Sequence, residues 1–176
     1  MERGGQAGAR MVEKRQLAVR RLGVVAYRQA LALQEQLAAE RASGAAPDTL
    51  LLLEHPPTYT RGRRTRPEEL PYPAEWYAER GIEVVDINRG GGVTYHGPGQ
   101  LVAYPIADVR PYGVREFVCR LERVMVVALA DLGVEAGPIE GLTGVWAGGG
   151  ADRGDAGGGA AAAPRAGSLP TGWRST

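Results

Sequence analysis

Two hydrophobic rhythms run along this chain, and the points where one gives way to the other divide it into elements. Residues 16–22 (QLAVRRL) alternate loosely and predict a first strand. From residue 27 to 41 the spacing becomes helical. Tyr27, Ala30, Leu31, Leu37 and Ala38 fall on one side, and Ala, Leu, Gln and Glu all favour helix. Ser43, Gly44 and Pro47 stop it. Residues 49–54 (TLLLLE) are a short apolar run between proline turns, the pattern of a strand buried on both faces. An Arg/Pro-rich loop is expected over 56–73, a short helix over 74–80 ending at Gly81, and a second buried strand over 82–88 (IEVVDIN). A glycine loop and a brief extended piece fill 89–100, and a third strand covers 101–106. Residues 114–132 carry the strongest helical stripe: Phe117, Val118, Leu121, Val124, Met125, Ala128, Leu129 and Leu132, with Gly133 placed to cap it. Residues 143–147 open another strand. Strands and helices alternate without a regular βαβ rhythm, so the expected fold is α/β or α+β with a mixed sheet and flanking helices.

At both ends the pattern fails. Residues 1–16 are polar and glycine-bearing and read as a disordered leader. From Ala147 to Thr176, 17 of 30 residues are Gly or Ala, too little apolar surface to build strands, so 147–176 reads as a disordered tail behind a domain at 17–146.

Composition narrows the function. With 176 residues there is room for one ordinary domain. Lys plus Arg number 21 against 20 Asp plus Glu, which speaks against a polybasic nucleic-acid surface. No apolar run approaches membrane-spanning length, and no signal-like segment opens the chain, so a cytoplasmic protein is expected. Cys119 is the only cysteine, which excludes an internal disulfide and a multi-thiolate zinc site. Arginine outnumbers lysine twenty to one, a skew that GC-rich codon usage explains.

Candidate chemistry is densest at Arg89-Gly90-Gly91-Gly92-Val93-Thr94-Tyr95-His96, continuing as Gly97-Pro98-Gly99-Gln100. Three glycines after a strand let backbone approach a ligand and turn its N–H groups inward. Arg89 offers a planar fork of donors, and His96 could orient a group or take a proton. A tight hairpin with a solvated arginine is the plainer alternative. No Gly-Lys-Ser/Thr follows, so this is not a P-loop. The second cluster is Glu54-His55-Pro56-Pro57-Thr58-Tyr59-Thr60-Arg61-Gly62-Arg63. His55, leaving a buried strand into a Pro-Pro turn, reads as a structural hydrogen-bonder. Arg61, Arg63, Arg64 and Arg66 could together meet an acidic partner, or simply be solvated. Cys119 falls opposite the apolar stripe of its helix, beside Arg115, Glu116, Glu122 and Arg123, with no His or Lys there to act as base.

With these motifs the sequence resembles the lipoyl(octanoyl) transferases of lipoate biosynthesis. RGGGVTYHGPGQLVAYPI matches that family's R-G-G-x-x-T-x-H-x-x-G-Q signature and following strand, and EHPPTYTRGR matches its E-H-P-x-x-x-T-x-G-R segment. The first helix, IEVVDIN and GLTGVW also fit, so the likeness covers 17–146. The resemblance implies the catalytic-domain fold of lipoate and biotin protein ligases. It implies octanoyl transfer from acyl carrier protein to an enzyme cysteine, then to a lysine of a lipoyl domain, such as the glycine-cleavage H protein or a dehydrogenase E2 subunit. A family lysine activates that cysteine, and neither ATP nor a metal is needed. Residues Arg89 to His96 would line the acyl pocket and the groove for the incoming lysine.

The sequence departs from the family after Trp146. There the family carries its lysine in a K-[IL]-A-A-[IM]-G strand and its nucleophile in a Pro-Cys-Gly segment. Here AGGGADRGDAGGGAAAAPRAG follows, with neither residue, and Lys14 and Cys119 lie outside the matching motifs. No catalytic residue is therefore assigned, and the chain is expected to be inactive. Asp152-Arg153-Gly154-Asp155-Ala156, read from the second base of suitable codons, gives Ile-Ala-Ala-Met, so a shifted reading frame near Trp146 is the favoured explanation. The codon before it would begin with C and could not encode lysine. Two rivals stand beside the transferase reading. A lipoate protein ligase would share the fold, although Gly97-Pro98-Gly99-Gln100 after His96 favours the transferase. A non-catalytic module that captures acyl carrier protein or a lipoyl domain would explain the missing pair.

Overall fold

A computed structural model describes residues 16–147 of the chain. The expected leader and Gly/Ala-rich tail, including the stretch read in a shifted frame, lie outside the described residues apart from Gln16 and Ala147. In chain order the elements are β1 (Leu17–Val24), α1 (Tyr27–Ser43), β2 (Asp48–Glu54), β3 (Thr58–Arg61), α2 (Ala74–Ala78), β4 (Glu83–Asp86) and β5 (Val93–His96). They continue with β6 (Val102–Ile106), α3 (Gly113–Asp131), β7 (Ala136–Gly137) and β8 (Trp146–Ala147). A 3-10 turn at Pro67–Glu69 precedes α2. The chain divides into two units. Among the described residues, 16–56 and 97–108 form one unit, and 57–96 and 109–147 the other.

In the first unit β2 lies between β1, which runs parallel to it, and β6, which runs antiparallel. A parallel neighbour demands a crossover, and α1 supplies it. Leu51 and Leu53 of β2 pack with Ala30 and Leu37 of α1, and Leu22, Val25, Leu33, Val102, Tyr104 and Ile106 close around them. Burial of β2 is complete on one face only: Leu50, Leu52 and Glu54 on the other are half-buried, so the expectation of two buried faces is corrected. The helix turns Tyr27, Ala30 and Leu37 inward with Leu33 beside them, while Ala38, expected on that face, is exposed. Gly44 ends α1 at φ 81°, a conformation a side chain would strain, and its N–H bonds back to the helix. Arg41 Nε then meets Asp48 Oδ1 at 2.5 Å, tying the end of α1 to the start of β2.

The second unit holds a sheet of order β4-β3-β5, with β3 parallel to β4 and antiparallel to β5. Strand β3 falls inside the span expected to be loop. Its Thr-Tyr-Thr alternation is a true period-two signal, with Thr58 and Thr60 buried, but four residues among prolines and arginines are too short to stand out. Strand β4 buries only Val85, so it is less enclosed than its apolar run suggests. Helix α3 forms where its stripe places it, yet none of its residues is buried. Val114, Val124, Val127 and Leu132 on or just beyond it are 61–72% exposed. Strands β7 and β8 pair over two residues each; β7 carries no sequence signal. Among the described residues no helix is long and apolar enough to cross a membrane.

Candidate functional site

The glycine loop and its neighbours are held by main-chain bonds between two segments. Gly62 N–H donates to Gly92 O at 3.1 Å, Arg63 N–H to Arg89 O at 3.0 Å and Arg64 N–H to Gly91 O at 3.0 Å. This close approach requires glycine at position 62. A Cβ there would stand 2.5 Å from Gly91 O and 3.0 Å from Gly90 O. Gly91 itself adopts φ 85°, in the left-handed region. On the other flank a Cβ on Gly92 would meet both carboxylate oxygens of Glu69 at 2.5 Å, so that carboxylate lies directly over the loop. Glu69 Oε2 accepts from Arg66 N–H at 2.9 Å. A Cβ on Gly90 would meet nothing within 4 Å, which leaves that flank of the loop open.

Arg89 acts first as a brace. Its Nη2 donates to Thr94 Oγ1 at 2.7 Å, to Thr60 Oγ1 at 2.9 Å and to Thr60 O at 3.1 Å, while Nη1 donates to Gly90 O at 3.0 Å. One guanidinium thus fastens β3, β5 and the loop between them. Every one of these acceptors is a neutral oxygen, so among the described residues no carboxylate offsets its charge at hydrogen-bond distance.

Strand β5 separates the residues that the sequence groups together. Thr94 pairs in register with buried Thr60, and His96 with buried Thr58. Val93 and Tyr95 alternate to the opposite face, where Tyr95 packs on Tyr59 at 5.1 Å between ring centroids. Tyr59 in turn meets Tyr77 edge-on at 5.9 Å. Burial, then the neighbouring phenols of Tyr95 and Tyr77, raises the Tyr59 pKa above the ordinary tyrosine value. Arg89, Thr94 and His96 therefore belong to one side of the sheet and Val93 and Tyr95 to the other.

His55 lies in the first unit and is fully buried. Nδ1 is 2.7 Å from Val25 O and Nε2 is 2.9 Å from the Tyr104 hydroxyl. A carbonyl can only accept, so Nδ1 carries a proton, and both ring nitrogens are committed to structure. Burial, then the adjacent Tyr27, pushes the Tyr104 phenol far above its usual range. Beside it, Glu54 Oε2 accepts from Gly99 N–H at 2.7 Å and pins the turn that follows His96. Cys119 is half-buried on α3. Among the described residues no cluster of His, Cys, Asp or Glu could hold a metal ion. Thr60 and Gly62 stand in the second cluster read from the sequence without a role of their own, and Glu69 stands outside both clusters. The spacing of Thr60 and Gly62 within EHPPTYTRGR is their signal; Glu69 has none.

Residues 26–156 match the catalytic domain of lipoyl protein ligase A/B, well over half of the chain. The chain belongs to that family. The octanoyltransferase of Syntrophotalea carbinolica is 50% identical over 130 residues, covering 73% of this chain and 58% of that protein. The octanoyltransferase of Rhodococcus opacus is 47% identical over 131 residues, 74% of this chain and 48% of its own length. The chain thus spans about half the length of the curated relatives it matches. These relatives bear out the octanoyltransferase likeness within the lipoyl protein ligase A/B family. A T. acidophilum lipoate protein ligase with bound lipoic acid superposes with a TM-score of 0.56 at 18% identity, over 76% of this chain and 58% of that one. A structure of the bipartite lipoate protein ligase of Thermoplasma acidophilum and its E2 lipoyl domain gives 0.51 at 20% identity, over 72% and 49%. The likeness to these structures establishes the family's mixed α/β architecture here.

Proposed function

We propose that this chain carries the acyl-recognition part of an octanoyltransferase, an enzyme that moves octanoyl from acyl carrier protein to a lysine of a lipoyl domain through a cysteine acyl-enzyme. The observation that carries this reading is the braced glycine loop, Arg89 to Gly92, set in a complete R-G-G-x-x-T-x-H-x-x-G-Q motif and packed on Gly62. The names of its relatives support the same activity, and the E2 lipoyl domain that belongs to the T. acidophilum ligase supports that class of acceptor. Bare backbone at Gly90 leaves room for an alkyl thioester beside the loop. The family lysine and cysteine have no counterpart in the matched motifs, so the sequence as it stands should bind donor without transferring octanoyl. A cytoplasmic setting goes with this role.

The test mixes the purified chain with octanoyl-loaded acyl carrier protein and an apo lipoyl domain, without ATP. Donor binding with no acyl-enzyme and no transfer is expected. Transfer that survives Cys119→Ser would mean that the chemistry lies elsewhere; transfer lost on that substitution would make Cys119 the nucleophile. Transfer that strictly requires ATP would favour a ligase. The absent lysine and cysteine also favour a second reading, a non-catalytic binding module. DNA encoding Lys and Pro-Cys-Gly segments in another frame beyond Trp146 would exclude it.

A further inference from the structure

We infer that Glu69 is the binding point for the ammonium group of the acceptor lysine on the lipoyl domain. The inference rests on the transfer reading given above and adds to it a residue that recognises the second substrate.

The three glycines after Arg89 are bounded unequally. A Cβ on Gly90 would meet nothing within 4 Å, one on Gly91 would meet Arg89 Nη1 at 3.1 Å, and one on Gly92 would meet both carboxylate oxygens of Glu69 at 2.5 Å. Consecutive positions of one loop thus touch a guanidinium and then a carboxylate. The two charges do not pair with each other. Arg89 spends its bonds on Thr60, Gly90 and Thr94. Glu69 Oε2 accepts from Arg66 N–H at 2.9 Å, which caps the 3-10 turn. Among the described residues no donor reaches Glu69 Oε1, and no cation pairs with this carboxylate.

The cap accounts for one oxygen of Glu69 and leaves the charge over the loop unused. The side chain is half-buried, so water reaches it only in part. In the turn leading to it, Thr65 Oγ1 is buried with no hydrogen-bond partner. The segment laid over the loop therefore carries two oxygens short of a donor, a state that buried polar groups seldom keep. A lysine ammonium brings three donors, no acceptor and the opposite charge. Arg89 and the backbone N–H groups suit the carbonyl oxygen of a thioester but repel an incoming ammonium. Glu69 gives the same loop a second pole, so acyl group and amine can be held side by side. Asp86 offers no such pole, because Arg61 binds it at two points, both 2.7 Å. Glu69 holds the amine in its charged form, and no proton transfer is assigned to it.

The experiment measures the affinity of the full chain for an apo lipoyl domain and for the same domain with methionine in place of its acceptor lysine. The chain is used unmodified and as Glu69→Gln, Glu69→Ala and Glu68→Gln. Glutamine keeps an oxygen for Arg66 N–H and removes only the charge, so its thermal midpoint should match that of the unmodified chain. Glu69→Gln should weaken binding of the lysine-bearing domain about tenfold, the scale of a hydrogen bond to a charged group. The methionine domain should bind the unmodified chain equally weakly, and combining the two changes should cost nothing further. Glu68→Gln, an equal change of charge on the exposed neighbour, should bind like the unmodified chain. Additive losses would overturn the inference, and so would a loss seen with Glu69→Ala and absent with Glu69→Gln, which would make Glu69 a cap alone. No binding of the apo domain by the unmodified chain would also overturn it. Binding of octanoyl-loaded acyl carrier protein, measured separately on the same chains, decides whether the donor-binding role fails with it or stands.

Discussion

A methyl group on Gly62 would stand 2.5 Å from the carbonyl oxygen of Gly91. The two residues are separate in sequence, and their contact seats the glycine loop on the end of β3. The obstacle is backbone, which cannot swing aside as the tip of a side chain can. Gly62→Ala should therefore destabilise the chain by about 1–3 kcal/mol, the usual cost of overpacking a tight site. Denaturant unfolding checks this, and amide exchange should rise first at residues 89–92.

Arg89 should resist conservative replacement. A lysine ammonium is a point charge and cannot span Thr60 and Thr94 as the guanidinium fork does. Arg89→Lys should cost about 1.5–3 kcal/mol, the value of hydrogen bonds to a charged group. In a double-mutant cycle with Thr94→Val the two losses should be clearly non-additive. Additive losses would show that Arg89 and Thr94 are not coupled.

The phenol of Tyr104 gives the alkaline limb of stability a definite sign. Its folded pKa is raised by burial above the ordinary value near 10. Above about pH 10 the unfolded phenol loses its proton while the folded one keeps it. The unfolded state then binds fewer protons, so stability falls as pH rises, and is fully present below the unfolded pKa. Tyr104→Phe should flatten thermal midpoints measured between pH 9 and 11. It should also lower stability near neutrality, because His55 Nε2 loses its hydroxyl partner.

Helix α3 leaves apolar side chains in water: Val124 of its stripe and Val127 beside the stripe are both more than 60% exposed. Such a surface promotes association. The chain should elute as aggregate on size exclusion and melt broadly, and Val124→Glu with Val127→Glu should raise the monomer fraction. A soluble monomer with one sharp melt would contradict this and favour the binding-module reading.

The elements legible in the sequence are those whose partners are local or whose burial is strong. Helix α1 and strand β2 declare themselves through long apolar spacing, and the glycine loop through its motif. Strand β3 is hidden because its register is set by β4 and β5, not by its own four residues. The stripe of α3 is plain, but a stripe states what could be buried and not what arrives to bury it. At the site, residue types were readable and their division between two faces was not. That division follows from the pairing of Thr94 with Thr60 and Tyr95 with Tyr59. The working role of Arg89 needed Thr60, which lies 29 positions away.

The first unit is interrupted in sequence by Pro57–His96. A ribosome therefore delivers β1, α1 and β2 and then the whole of β3, β4 and β5 before Val102 emerges to pair with Leu53. Until that moment β1 and β2 form a two-stranded ribbon, marginal by itself, and β2 waits with one edge open. His55 likewise stays without its Tyr104 hydroxyl. Synthesis that stalls before β6 leaves the most apolar strand of the molecule unpaired on that edge, so this stretch of translation is where the nascent chain most needs protection.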